Sequence, residues 1–260
     1  MNGAELRTRQ RRATTALAGR ETRRVLALWT QTILPPALTA ILFLAVFGGA
    51  LGSRIRPVEG LPYLSFILPG LLVMTVAAQS FANCSTSLFQ AKSEGYIDDI
   101  LTSPLRPWQL VLSYLSGGLA RGLLAALAVA LLALPFAHES THPALAALAL
   151  LLTGLVFSSL GVITGIWAET FDQHAFVANI VIAPLALVGG VFYSARTLDQ
   201  PWATLTRIDP LYYLVDATRA GLTGFNETTV WVSIVVTAAV AAGAFLVATT
   251  VVARGWRLKP

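Results

Sequence analysis

The placement of charge constrains this chain more than any other feature. No charged residue lies between Arg24 and Arg54, only Glu59 between Arg56 and Lys92, and only Arg121 between Arg106 and Glu139. The stretches Glu139 to Glu169, Asp172 to Arg196 and Glu227 to Arg254 carry none at all inside their bounds. About 20 apolar residues, rising 1.5 Å each as a helix, cross the hydrocarbon layer of a bilayer. The pattern predicts six transmembrane helices, at about 29–51, 64–90, 108–136, 144–167, 174–194 and 229–253. The runs are continuously apolar rather than alternating, which selects helices over a β-barrel. The fold class expected is therefore an all-α polytopic membrane protein. Composition agrees: 12% of residues are charged and 55% hydrophobic, against about 25% charged in a soluble domain. A soluble bundle of buried core helices would lack polar side chains for its surface, and disorder requires far lower hydrophobicity.

Basic residues set the expected orientation. With the amino end cytoplasmic, that side holds Arg7, Arg9, Arg11, Arg12, Arg20, Arg23, Arg24, Lys92, Arg106, Arg254, Arg257 and Lys259, twelve in all. The other side holds five: Arg54, Arg56, Arg196, Arg207 and Arg219. The positive-inside rule then places both termini in the cytoplasm. The first apolar run is too long for a signal-peptide core and lacks an A-x-A exit, so it stays in the membrane. Residues 1–28 form a cytoplasmic arm, polar and mobile over 1–12. Leu17, Arg24 and Leu28 share one line of a helix that suits an interfacial position on lipid headgroups, a solvated topology signal being the alternative. Residues 29–260 form the six-helix transmembrane domain. A single cysteine, Cys84, excludes an internal disulfide and a Cys-based metal cage.

Two connections are candidates for function. In the segment of about 93–103, Ser93 is a plausible cap. Tyr96, Ile97, Ile100 and Leu101 then share one face, and Glu94, Asp98 and Asp99 point away until Pro104 ends the helix. A lipid-binding helix on this side would be basic, so the acidic face reads as a docking surface for a protein, with a solvated connector as the alternative. The segment of about 195–224 follows Phe192 and Tyr193 and contains Trp202, Asp209, Pro210, Tyr212, Tyr213 and Arg219. Asp209 can cap a helix with Pro210 at its first position. Leu211, Leu214, Val215 and Leu222 can enter the membrane, and Asp216 can pair with Arg219 three residues on. The segment reads as a re-entrant helix at the outer surface, or else an ordinary interfacial one.

Arg121 is the one charged residue well inside a span, a position that by default suggests function. Either it contacts substrate, or carbonyls or a loop carboxylate such as Glu169 or Asp172 hold it in a structural role. Gly118 and Gly122 beside it, and Gly161 with Gly165, are small-xxx-small pairs that let helices approach closely. Pro35, Pro36, Pro69 and Pro184 can bend their helices. The chain has no G-x-x-x-x-G-K-[ST] phosphate loop, no H-E-x-x-H and no G-x-S-x-G, so no catalytic residue, metal or cofactor is assigned to it. No span encloses an Asp or Glu, which argues against a proton-coupled carrier.

Taken in order, these blocks resemble the type-2 ABC transporter permeases, the transmembrane subunits of bacterial drug, lipooligosaccharide and polysaccharide exporters. The matching blocks are Ile67-Leu68-Pro69-Gly70-Leu71, the acidic helix, Gly117-Gly118 … Arg121-Gly122 and Thr170-Phe171-Asp172. The last runs Gly189-Gly190-Val191-Phe192-Tyr193-Ser194 … Pro201-Trp202 … Asp209-Pro210-Leu211-Tyr212-Tyr213 … Arg219. The resemblance covers nearly the whole chain. It implies a bacterial inner-membrane permease that pairs with a second copy of itself, as a homodimer rather than a heterodimer, and with two copies of a separate ATPase that binds the ATP and Mg. It also implies that Glu94, Tyr96, Ile97, Asp98, Asp99 and Ile100 form the coupling helix entering a groove on that ATPase, and that the outer segment forms a gate. The family's usual Asn-Pro is Asp209-Pro210 here, and its usual Leu-Pro before the Trp is Leu198-Asp199-Gln200-Pro201. Lipid surrounds such a protein, and nucleic acid is not a partner. The rival readings are an ion-gradient-driven carrier and a scaffold that transports nothing. Amphipathic or lipid-linked cargo suits a chain with no aromatic track for a sugar polymer.

Overall fold

The structure is a computed structural model that describes residues 3–50, 55–136 and 141–258. Arg54, Glu139 and Lys259, used in reading the charge pattern, lie outside the described residues. No strand occurs among the described residues, and six helical stretches are long and apolar enough to cross a membrane: Trp29–Gly48, Tyr63–Ser93, Pro107–Ala133, Pro143–Trp167, Phe171–Val188 and Val230–Ala253. In chain order the helices are α1 (Gly3–Ala27), α2 (Trp29–Phe43, continued by a π-helical stretch Leu44–Ala50), α3 (Tyr63–Ser93) and α4 (Ile97–Leu101). They continue as α5 (Pro107–Ala133), α6 (Pro143–Trp167), α7 (Phe171–Val177), α8 (Ala183–Val188), α9 (Trp202–Ile208), α10 (Pro210–Thr223) and α11 (Val230–Ala253). A π-helical turn, Ala178–Ile182, joins α7 to α8 just before Pro184. Proline cannot donate to the ladder and its ring crowds the preceding turn, so the helix widens there.

Helix α3 is the hub. Over its most apolar stretch 78% of residues are buried, against 22%, 18% and 17% for the first, fifth and sixth spans. Both glycine pairs seat against it. A Cβ added at Gly161 would stand 2.6 Å from the Phe81 carbonyl oxygen, and one at Gly165 2.7 Å from that of Ser85. On α5, a Cβ added at Gly118 would stand 3.1 Å from the Ser80 carbonyl oxygen, and one at Gly122 3.1 Å from that of Val76. Without a hydrophobic force between helices in lipid, such backbone proximity is what packs them.

Helix α1 departs from the expected arm. It begins at Gly3, so residues 3–12 are helical rather than loose. Its buried line is Gln10, Leu17, Glu21 and Val25, spaced by whole turns, and Leu28 is 46% exposed. Ser113 and Ser116 of α5 donate to the Thr14 and Ala18 carbonyls at 3.3 and 3.5 Å. The helix is clasped to the bundle, because its buried acid, Glu21, needs partners that headgroups do not supply.

The fifth span ends at Val188, not 194, because the chain turns at Gly189-Gly190 with Gly190 at φ +70°. Helix α9 leads back to Asp209, and α10 then packs against α3, α6 and α11. Together α9 and α10 form a helical hairpin folded among the spans. Leu211, Leu214 and Val215 are buried there with Val73, Ala77, Phe81 and Phe157. They meet protein where the sequence suggested lipid.

Candidate functional site

One end of the bundle gathers α1, the 94–106 connection, the α6–α7 turn and the residues after α11. Helix α3 runs on through Ser93, which therefore lies inside it and caps nothing; Gly95, at φ +80°, makes the break, and α4 spans only Ile97–Leu101. Ile97 and Ile100 are 3% and 8% exposed, in one cluster with Leu17, Leu88, Leu110, Ile166 and Val252. Tyr96 and Leu101 pack on the same cluster, and the Arg20 guanidinium sits 5.4 Å from the Tyr96 ring centre. Glu94, Asp98 and Asp99 face outward and are exposed. The six residues read as one docking surface thus divide: Ile97 and Ile100 are anchors, Tyr96 a half-buried brace, and the three acids form the outer face.

Behind α4 lies a polar network that the sequence reading missed. Glu21, 1% exposed, accepts from Ser87 Oγ of α3 at 2.7 Å and pairs with Arg20 at 2.9 Å and Arg24 at 3.3 Å. Arg24 also donates to the carbonyl and side-chain oxygens of Asn83, both at 3.3 Å. The signal was present: Glu21 is the one acid in the second half of a basic helix and lies four residues from both Leu17 and Val25. Arg121 donates from Nε to Gln79 Oε1 at 2.9 Å. It reaches neither Glu169 nor Asp172. Glu169 sits instead at the bundle end, 3.4 Å from Arg257.

At the opposite end the hairpin is tied by buried charge. Arg219 donates to the Gly190 carbonyl at 2.8 Å, the Phe66 carbonyl at 3.3 Å and Glu227 Oε1 at 3.3 Å, with its guanidinium 3.9 Å from the Phe66 ring centre. Its ion-pair partner is therefore Glu227, not Asp216. The turn after α10, with Gly224 at φ +75°, folds residues 226–229 back over the helix. Asp216 is thereby left to accept from the Glu227 N–H at 2.7 Å, Thr228 Oγ1 at 2.5 Å and Ser233 Oγ at 2.9 Å. Tyr212 OH and the Ala195 N–H also donate to Glu227, at 3.3 and 2.9 Å. Burial pushes the Glu227 carboxyl up, against the opposing pull of Arg219.

Asp209 caps α10 as its sequence implies, its Oδ1 accepting from the Leu211 N–H at 2.8 Å with Pro210 next. Its other oxygen is buried with no partner among the described residues. Burial raises the carboxyl from 3.8 to about 6. Phe192 stacks on Phe43 with ring centres 6.0 Å apart, and its carbonyl accepts from Tyr63 OH at 3.3 Å. Tyr193 OH donates to the Val188 carbonyl at 2.6 Å. Tyr213 meets Tyr212 edge-on, and Trp202 stands exposed. Among the described residues no group of three His, Cys, Asp or Glu side chains is placed to hold a metal ion.

These ties join helices to one another and give the bundle two braced ends, which suits a moving membrane part. Comparison with known proteins agrees. Residues 12–223 match the family model described as ABC-2 type transporter. The inner membrane transport permease YadH of Escherichia coli is 36% identical over 209 residues, covering 80% of this chain and 82% of that protein. Nodulation protein J of Rhizobium meliloti is 24% identical over 186 residues, 71% of each chain. That of Bradyrhizobium diazoefficiens is 25% identical over 174 residues, 66% of each. With the family model spanning most of the chain, and α3, α5 and α6 packed through the glycine blocks that the sequence singled out, this multi-pass membrane protein belongs to the ABC-2 type transporter family, as one of its permeases.

Proposed function

We propose that this permease works as a homodimer on two copies of a separate ATPase and moves its substrate outward across the bacterial inner membrane, with both termini in the cytoplasm. The inner-membrane placement follows the relative YadH, and the orientation follows the excess of arginine at the end that carries α1 and α4. ATP and Mg bind the partner, whose hydrolysis supplies the energy. The cargo class is amphipathic or lipid-linked.

One observation carries the reading. Helix α4 is wedged by Ile97 and Ile100 into a cluster contributed by α1, α3, α5, α6 and α11, while its acids face away from the protein. A push on that acidic face reaches five helices at once, because close-packed interiors transmit displacement rather than absorb it. The ATPase contact then supplies the differential binding that any shift between inward- and outward-open states requires.

The test is the double charge reversal Asp98→Lys with Asp99→Lys in the reconstituted complex. Export and the stimulation of ATP hydrolysis by cargo should both fall about tenfold or more, with membrane insertion unchanged. Unchanged stimulation and export would overturn the assignment.

A further inference from the structure

The end of α3, the α6–α7 turn and the chain after α11 enclose a cavity of about 370 Å³. We propose that this cavity binds the phosphodiester headgroup of an anionic phospholipid. Its walls include Phe89, Lys92, Glu169, Arg257 and Leu258. The two cations, Lys92 at the end of α3 and Arg257 in the turn after α11, are far apart in sequence and meet at the level where three spans end, Ser93, Trp167 and Ala253. Helix termini of spans mark the boundary between hydrocarbon and water, where headgroups lie.

The cations are held in place. Lys92 Nζ donates to the carbonyls of Ile166 and Ala168. An ammonium has three donors, so one remains for a ligand in the cavity. Arg257 donates from one terminal nitrogen to the Trp167 carbonyl at 3.3 Å and pairs with Glu169 at 3.4 Å. A guanidinium carries five N–H donors in a planar fork that matches phosphate oxygens. The backbone at Arg257 is at φ +53°, a conformation that a non-glycine residue keeps only when its surroundings impose it. Here Leu258 imposes it: 2% exposed, it is buried in the same cluster as Ile97 and Ile100 and pins the strained turn. Trp256, half exposed and 5.3 Å from the Arg257 guanidinium, is a residue type that settles at headgroup level. Phe89 supplies an apolar wall for the first carbons of an acyl chain. Basic pockets between spans bind anionic headgroups on these principles. Glu169 opposes the anion, so the site is weakened by its own acid, and that provides a variant of opposite sign.

The test uses the full-length chain in detergent micelles, with phosphatidylglycerol and phosphatidylcholine offered separately and retained lipid counted by native mass spectrometry. Phosphatidylglycerol should be retained at least tenfold better. Arg257→Gln should lower its retention about tenfold and leave phosphatidylcholine alone, while Glu169→Gln should raise it, a gain that misfolding cannot produce. Equal retention of the two lipids, no effect of Arg257→Gln, or a loss with Glu169→Gln would overturn the proposal. So would displacement of the lipid by inorganic phosphate at equal concentration, which would make the ligand a soluble phosphate. The outcome does not depend on the ATPase or on the direction of transport.

Discussion

Replacing Arg219 by Met keeps the bulk of the side chain but removes the cation that ties the α9–α10 hairpin to α3 and to the turn before α11. The variant loses three charge-assisted hydrogen bonds, to Gly190, Phe66 and Glu227. It also leaves the Glu227 carboxylate, itself 1% exposed, without its counter-ion. Breaking a buried pair by removing one partner costs about 3–5 kcal/mol. The lower part of that range applies, because Glu227 keeps the Ala195 N–H and Tyr212 OH as donors. At about 2–4 °C per kcal/mol for a chain of this length, the melting temperature in detergent should fall by about 10 °C. Adding Glu227→Gln removes the stranded charge and should restore about half of the loss, giving a coupling of about 1–3 kcal/mol in a double-mutant cycle. Acid should also narrow the deficit: burial already raises the Glu227 carboxyl, and once protonated it no longer needs the arginine. Additive single and double variants, or a deficit that grows on acidification, would refute the ion-pair account.

Three further outcomes follow from the same geometry. For Asp209, the folded state holds a proton more tightly than the unfolded chain, about 6 against 3.8, so its contribution to stability falls as pH rises from about 4 to about 6 and stays low above that. Asp209→Asn, which still caps, should melt higher than the parent above pH 7 and identically below about pH 4; a gap independent of pH would contradict this. Gly161→Val should abolish folded protein, since the Phe81 carbonyl cannot move aside, whereas Gly243→Ala on α11, with nothing within 4 Å, should gain up to about 1 kcal/mol in thermal unfolding. Glu21→Ala should cost about 2 kcal/mol through its charged hydrogen bonds and free α1, read as faster tryptic cleavage after Arg20 or Arg24.

The spans were legible because lipid imposes a rule that needs no tertiary information: a run free of charge must cross. Five of the six begin within two residues of expectation, and the fifth fell short at the Gly189-Gly190 turn. The glycine pairs were legible too, since only backbone proximity explains them. Pairings of polar groups were not. The three-residue spacing favoured Asp216 with Arg219, but a left-handed turn at Gly224 brought in Glu227, eight residues away. Arg121 found Gln79 on a neighbouring helix, a choice that depends on which faces of α3 and α5 meet. Around α4, hydrophobic periodicity found the right faces of Ile97 and Ile100 but misjudged where α3 stops, because Gly95, not Ser93, makes the break.

The account rests on energy arriving from another polypeptide through α4. Mass measurement of the tagged permease, extracted from native membranes in mild detergent, addresses this directly. The account predicts an assembly of two permeases with two ATP-hydrolysing subunits, which dissociates when Asp98 and Asp99 are both changed to Lys. A permease that emerges alone, and still transports cargo in sealed vesicles lacking ATP, would contradict it.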